Sequence, residues 1–358
     1  MIDRICTIGP ASKNQEVLGE LIDHGMTIVR LNLSHGDHES HKNVIDLVRQ
    51  LSKEKNKEIK ILADLQGPKI RIGKLKRENI ILQVGSGFSL TTREIEGDER
   101  EVSVDYKGLA LDVKVGSRIL INDGGVELNV TEVDKDSITT IVMRSGKISS
   151  RKGVNVPGTT LLLPAITEKD KKDMQFLIEE QVDYMACSFI RKPIHLEEIK
   201  KFVKERTATP PKLMAKIETM EAIQNFKEIC DQSDAIMIAR GDLGVELPYY
   251  WIPLLQKAMI AECNKIGKFV VTATQMLQSM TENSIPTRAE VTDIFQAVLD
   301  GTSAVMLSAE SASGSHPVES IEALKIVSQF SEVVRKYEPF DFEDMIKLIN
   351  QELLVEEE

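Results

Sequence analysis

Eight short apolar runs punctuate the chain: Arg4–Gly9, Ile28–Asn32, Ile59–Leu65, Val182–Phe189, Lys212–Glu218, Ala235–Gly241, Phe269–Thr274 and Ala304–Glu310. They are nearly continuous rather than strictly alternating, the pattern of parallel strands covered on both faces. Stretches with helical spacing separate them: Gln15–His24 (stopped by Gly25), Asp37–Leu51, Lys169–Glu180, His195–Glu205, Ala222–Asp231, Leu254–Ile266, Arg288–Leu299 and Val318–Lys336. Strict alternation of strand and helix predicts an α/β fold of the (β/α)8 TIM-barrel type.

One connection breaks the rhythm. After the third run, about a hundred residues pass before the next helix, with short Val/Ile/Thr-rich segments and Gly turns: Ile80–Val84, Phe88–Thr91, Arg118–Ile121, Val126–Val130 and Ser137–Met143. A structureless loop of that length is rare. A β-rich, β-barrel-like domain inserted after strand three is predicted, leaving at Pro68 and returning at Pro164. The expected organisation is a discontinuous barrel domain (1–67 and 165–338), a lid domain (68–164) and a short acidic C-terminal tail (339–358) ending in Glu356–Glu358. Functional groups of such barrels gather where the strands end, so an insertion there is placed to act as a lid.

Composition narrows the function. With 358 residues the chain can bury roughly 75% of its unfolded surface. A net charge of −11 argues against a polyanion-binding face, so no nucleic-acid partner is expected. No apolar run approaches the length of a membrane span, and Met1–Cys6 shows no signal-peptide layout, so a cytoplasmic protein without a membrane partner is expected. The four cysteines (Cys6, Cys187, Cys230, Cys263) form no C-x-x-C pair and are read as buried thiols.

The strand ends carry the chemistry. Lys216 and Glu218 share one side of their strand and Ile217 faces the other, while Asp242 follows Gly241 on the neighbouring strand. Two carboxylates from adjacent strands suit Mg²⁺, with the lysine placed to stabilise developing negative charge; an internal salt bridge among the three is the structural alternative. Thr272–Met276 and Ser308–Glu310 end two further strands, either as a proton relay or as caps of the following helices. Arg30, Asn32 and Ser34 share a face, the first suited to phosphate and the others to a cation. His35, His38 and His41 have a zinc-like spacing that no nearby Cys completes. Gly67–Pro68 reads as a hinge, and Arg71 and Lys152 beyond it are either phosphate ligands or surface charges.

The ordered set CTIGPAS (Cys6–Ser12), RLNLSHG (Arg30–Gly36), DLQGPKIR (Asp64–Arg71), KGVNVPG (Lys152–Gly158), KIE (Lys216–Glu218), ARGDLGVE (Ala239–Glu246), TATQML (Thr272–Leu277), PTRAE (Pro286–Glu290) and LSAES (Leu307–Ser311) resembles the pyruvate kinase family over residues 4–335. The resemblance implies Mg²⁺-dependent (or Mn²⁺-dependent) phosphoryl transfer from phosphoenolpyruvate to ADP, giving pyruvate and ATP. It implies Glu218 and Asp242 as Mg²⁺ ligands and Lys216 as stabiliser of the phosphoryl group and the enolate. It gives Gly241, Asp242 and Thr274 to the substrate carboxylate. Thr274, Ser308 and Glu310 fall on the proton path, and Arg30, His35, Arg71 and Lys152 face the nucleotide phosphates.

Relatives that need K⁺ hold it near the positions of Asn32, Ser34, Asp64 and Leu65. Lys69, with Leu65, Gln66 and Ile72, resembles the K⁺-independent branch, and its ammonium is expected to replace the ion. The chain stops about twenty residues after the last barrel helix, where the resemblance implies a further α/β domain. Regulation by a sugar bisphosphate and a tetramer are therefore not expected, and a homodimer through barrel helices is. An inert or regulatory paralogue that binds ligand or a full-length subunit is the alternative. The intact set Lys216, Glu218, Asp242 and Thr274 argues against it.

Overall fold

Parallel strands β1 (Asp3–Thr7), β2 (Ile28–Asn32), β3 (Lys60–Asp64), β4 (Tyr184–Cys187), β5 (Lys212–Ile217), β6 (Ala235–Ala239), β7 (Phe269–Ala273) and β8 (Ala304–Leu307) pair in chain order, and β8 pairs back onto β1 to close a barrel. The structure is a computed structural model that describes residues 2–355. The helices of the ring are α1 (Gln15–Asp23), α2 (His38–Glu54), α3 (Glu168–Glu179), α4 (Pro193–Lys204), α5 (Met220–Gln224), α6 (Phe226–Gln232), α7 (Arg240–Glu246), α8 (Ile252–Lys265), α9 (Arg288–Leu299), α10 (Ala309–Ala312) and α11 (Pro317–Val334). Among the described residues no helix is long and apolar enough to cross a membrane.

Side-chain alternation builds two apolar layers from the same strands. Ile5, Ile28, Leu62, Met214 and Met306 fill the barrel interior, whereas their neighbours Cys6, Val29, Ile61, Leu213 and Leu307 pack beneath the helices. Two residues further along, the inward positions turn polar: Thr7, Arg30, Asp64, Ser188, Lys216 and Ser308. The barrel therefore ends in a polar floor at its C-terminal face. Apolar filling below and charge above follow from one change in the strand pattern.

Two expectations need correction here. The stretch expected as one helix over Ala222–Asp231 is two, α5 and α6, broken at Asn225. The Asn225 amide bonds the Arg191 carbonyl at 2.9 Å and the Glu221 carbonyl at 3.0 Å, so it ends one helix and ties it to the β4–α4 loop. Strand β6 stops at Ala239, and Arg240–Glu246 is already helical, so Gly241 and Asp242 lie on a helical turn rather than on the strand.

The inserted segment has its own core, including Phe88, Leu90, Ile119, Leu128 and Val142. It consists of two sheets rather than one closed barrel. Six strands run in the order Val154–Asn155, Arg118–Ile121, Val126–Val133, Ser137–Arg144, Gly87–Thr91 and Glu101–Ser103, and Asn79–Leu82 pairs with Gly146–Ser149. Both chain crossings meet at one buried carboxylate. Asp170 accepts from the Gly67 amide (3.0 Å) on the way out and from the Thr167 amide (3.0 Å) and hydroxyl (2.6 Å) on the way back. Gly67 has φ +66°, and a Cβ there would stand 2.8 Å from the Ser188 carbonyl oxygen, so only glycine serves. A last helix covers Phe342–Val355; the acidic end Glu356–Glu358 lies outside the described residues.

Candidate active site

Lys216 stands at the centre of the polar floor. Its Nζ donates to Ser188 Oγ at 2.8 Å and lies 3.0 Å from Glu218 Oε1 and 3.2 Å from Asp64 Oδ1. Asp64 is 1% exposed, and its Oδ2 accepts from Arg30 Nε (2.9 Å) and Nη2 (2.7 Å). Arg30 Nη1 donates to Thr7 Oγ1 at 2.8 Å, and that hydroxyl donates to the Leu307 carbonyl at 2.8 Å. A continuous polar chain thus crosses the barrel mouth from β8 through β1, β2 and β3 to β5. The salt bridge considered from the sequence exists, but Asp64 takes the place given to Asp242.

The charges do not share equally. Burial alone would depress the Lys216 ammonium, but Asp64, Glu218 and Asp242 outweigh it and hold it above the ordinary lysine value. Burial also opposes the Asp64 carboxylate, yet Lys216 and Arg30 keep it below the usual range. Glu218, with only part of the Lys216 charge and with Asp242 nearby, is pushed up to about 6, mainly by burial. It accepts the Phe189 amide at 2.6 Å, and Phe189 adopts φ +58°.

Asp242 lies in the first turn of α7, and its side chain is 27% exposed, with Lys69 Nζ at 3.7 Å. Two carboxylates without enough positive charge between them suit a hard divalent cation that keeps water or substrate oxygens as further ligands. The observation that fits is the raised Glu218, which a cation would relieve. Among the described residues no cluster of three or more His, Cys, Asp or Glu side chains stands ready to hold a metal by itself.

Thr274 is unusual for a β-branched residue in having φ +70°. Arg240 holds this turn by donating to the Thr274 carbonyl (2.6 Å from Nη2) while its Nη1 grips Asp293 at 2.7 Å. The Gly241 amide donates to Thr274 Oγ1 at 2.8 Å. Gly241, expected to offer its N–H to a substrate carboxylate, therefore spends it on Thr274, and the Thr274 hydroxyl proton is left to donate elsewhere. Glu310, expected on a proton path, is 0% exposed, and its two oxygens accept the Leu277 and Ser308 amides at 3.1 and 2.7 Å. These bonds hold the turns after β7 and β8 in place. Ser308 itself faces the open cleft.

That cleft has a volume of about 790 Å³ and is lined by Lys69, Gly241, Asp242, Thr274 and Ser308, with Asp123 reaching in from the inserted domain. A second cavity of about 600 Å³ is lined by Arg30, Asn32, His35, Lys13 and, again, Ser308. Arg71 and Lys152 line neither; Arg71 Nη1 is turned to the Arg151 carbonyl at 3.3 Å. Within the group Asn32, Ser34, Asp64 and Leu65, Lys69 makes no direct ion pair with Asp64. Asn32 Oδ1 accepts the Ser34 amide at 3.1 Å and Asp64 is neutralised by Arg30 and Lys216, whereas Lys69 pairs with Asp242. The three histidines part company: His38 bonds Asp173 at 2.8 Å and stacks on Phe176, and His41 bonds the His35 carbonyl at 2.8 Å.

Ser188, Thr7, Arg240 and Asp123 are the site residues that the sequence reading passed over. Thr7 and Ser188 were reachable in principle, because each lies two residues beyond an inward apolar position.

Similarity to known proteins agrees with this arrangement. Curated pyruvate kinases of Staphylococcus epidermidis and Staphylococcus aureus are each 43% identical to the chain over 352 residues, which is 98% of this chain and 60% of theirs. The chain thus spans about 60% of the length of these relatives. A crystal structure of a pyruvate kinase from Cryptosporidium parvum superposes with a TM-score of 0.89 at 41% identity, covering 93% of this chain and 69% of that one. The family model for the pyruvate kinase barrel domain matches residues 2–321, and with that match, on a closed barrel bearing an inserted sheet domain, the chain belongs to the pyruvate kinase family.

Proposed function

We propose that the chain transfers the phosphoryl group of phosphoenolpyruvate to ADP, giving pyruvate and ATP. The observation that carries this reading is the Lys216 ammonium held between Glu218 and Asp64 and within the field of Asp242, which lines the 790 Å³ cleft. Phosphoryl transfer needs positioning and charge neutralisation more than covalent help. Glu218 and Asp242 would hold Mg²⁺ or Mn²⁺, which supplies positive charge to the substrate phosphate. Lys216, kept protonated by its neighbours, balances the charge of the moving phosphoryl group and of the enolate oxygen left behind. The Thr274 hydroxyl and the Asp242 amide donate to the substrate carboxylate, the first because Gly241 already occupies its oxygen. Thr274 and Ser308 offer the hydroxyl groups through which the enolate carbon is protonated. Arg30 and His35 serve the nucleotide phosphates from the second cavity. Arg71 and Lys152 stand outside both cavities, so in this reading they reach the nucleotide only when the inserted domain closes.

A coupled assay with phosphoenolpyruvate, ADP and Mg²⁺ tests the proposal, with K⁺ in one arm and tetramethylammonium in the other. Pyruvate is expected in both. Support for the second arm is the Lys69 ammonium in the cleft beside Asp242. Failure of both arms with folded protein favours a ligand-binding paralogue; collapse in tetramethylammonium alone removes Lys69 as a substitute for the ion.

Metal binding is expected to depend on pH through Glu218. Its folded pKa of about 6 exceeds the ordinary carboxylate value of about 4.3, so between these the folded state holds the extra proton. Without metal, Glu218 makes stability fall as pH rises through that window. Mg²⁺ competes with the proton, so the rise in Tm produced by saturating Mg²⁺ is expected to be larger at pH 7.5 than at pH 5. Equal shifts at both pH values would take Glu218 out of the metal site.

A further inference from the structure

Two cysteines that lie 33 residues apart meet inside the helical layer. Cys230 is near the end of α6 and Cys263 near the end of α8, and their Sγ atoms are 3.6 Å apart. Both are buried, at 1% and 0% exposure, and both are free thiols. Because α6 and α8 run back against the strands they precede, the pair lies at the N-terminal face of the barrel, opposite the cleft. Cys6 and Cys187 sit on β1 and β4 and are not part of it.

We propose that Cys230 and Cys263 form a dithiol site that a peroxide oxidises to an intrachain disulfide joining α6 to α8. The sulfurs must approach from 3.6 Å to the ~2.05 Å of a disulfide, a movement within the reach of side-chain rotation. Cys230 is the attacking sulfur: its contact with the Cys263 sulfur, in which either thiol can donate, lowers its pKa, with Lys268 adding to the effect, while Cys263 is raised. Its sulfur attacks one oxygen of the peroxide, forming an S–O bond as the O–O bond breaks and the first water leaves. Cys263 then attacks that sulfur, forming the S–S bond as the S–O bond breaks and the second water leaves with the remaining thiol proton. Two thiols lose two electrons and two protons to one hydrogen peroxide, which becomes two waters. Access comes through α6, a seven-residue helix separated from α5 at Asn225, whose local opening costs less than global unfolding. The bond would fix the base of α8, whose other end carries Gln256, 3.2 Å from the Arg240 that holds Thr274.

The test treats the native full chain with a small molar excess of hydrogen peroxide, then counts free thiols after denaturation and maps linked peptides. Titratable thiols are expected to fall from four to two, with Cys230 linked to Cys263 within one chain and full reversal by dithiothreitol. Tm is expected to rise by about 5 °C on oxidation, because the link removes freedom from the unfolded chain. Cys230→Ser should keep three thiols under the same treatment, Cys263→Ser should lose only the Cys230 thiol, as a sulfenic acid that dithiothreitol reverses, and neither should show the rise. Four thiols surviving in the parent, a link to Cys6 or Cys187 or between chains, or the same rise in either variant overturns the proposal.

Discussion

Lys216→Met is expected to lower kcat by about 10²–10³-fold while Mg²⁺ still binds. Among the described residues the ammonium is the one cation in contact with Glu218, and its position beside the proposed metal ligands makes it the group that meets charge as it develops. Methionine preserves the length of the side chain and removes only the charge and the donors. Asp64 keeps Arg30, and Glu218 keeps the Phe189 amide, so the floor loses one partner without collapsing. With the neighbouring positive charge gone, Glu218 and Asp242 attract a divalent cation more strongly, so Mg²⁺ affinity should hold or increase. A coupled assay reads the first effect and the Mg²⁺-dependent change in Tm reads the second. Turnover within a factor of a few of the parent would remove Lys216 from the mechanism; loss of Mg²⁺ binding would mean that the lysine holds the site together instead.

Asp64→Asn is expected to cost about 3–5 kcal/mol of stability. The carboxylate is the counter-ion of two buried cations, and the amide that replaces it leaves Arg30 and Lys216 facing each other with Glu218, and Asp242 at longer range, to answer them. That is a large share of the ~5–15 kcal/mol by which folded proteins are stable. Urea denaturation at pH 7 measures it. Asp242→Asn, at the half-buried rim, serves as the contrast and should lie within about 1 kcal/mol of the parent. The sign with pH follows from the depressed Asp64 pKa. Its contribution is complete above the unfolded value near ~3.9 and disappears as pH falls through the lower folded value, so parent and variant should converge only in acid. A variant as stable as the parent at neutral pH would show that the polar floor is held by packing, not by this carboxylate.

The barrel was legible because burial on both faces makes each strand an apolar run, and the eight runs lie on the eight strands. Their ends were not. The runs at Ala235–Gly241 and Ala304–Glu310 continue past β6 and β8, since small and polar residues at a turn look like the last residues of a strand. Among site residues, Lys216 and Glu218 were placed on one face by simple alternation, and they meet at 3.0 Å. Partnership across strands was beyond reach: Asp64 and Arg30 are 34 residues apart, and nothing local says that one answers the other. Glu310 shows the same limit from the other side. Its residue type suggested chemistry, and nothing in the local sequence announced that its partners are two backbone amides. In the inserted domain, Glu101–Ser103 and Val154–Asn155 are too short to carry a pattern, and they exist because neighbouring strands offer them hydrogen bonds.

Asp170 gathers both crossings of the inserted domain at one point. Seen from the barrel, β3 and α3 are joined as closely as any other strand and helix of the ring. The roughly hundred residues between them hang outside a bracket that is already shut, so their length adds little to the entropy of closing the barrel. Such an appendage can grow, shrink or be exchanged over time without asking the barrel to be rebuilt, provided the bracket stays.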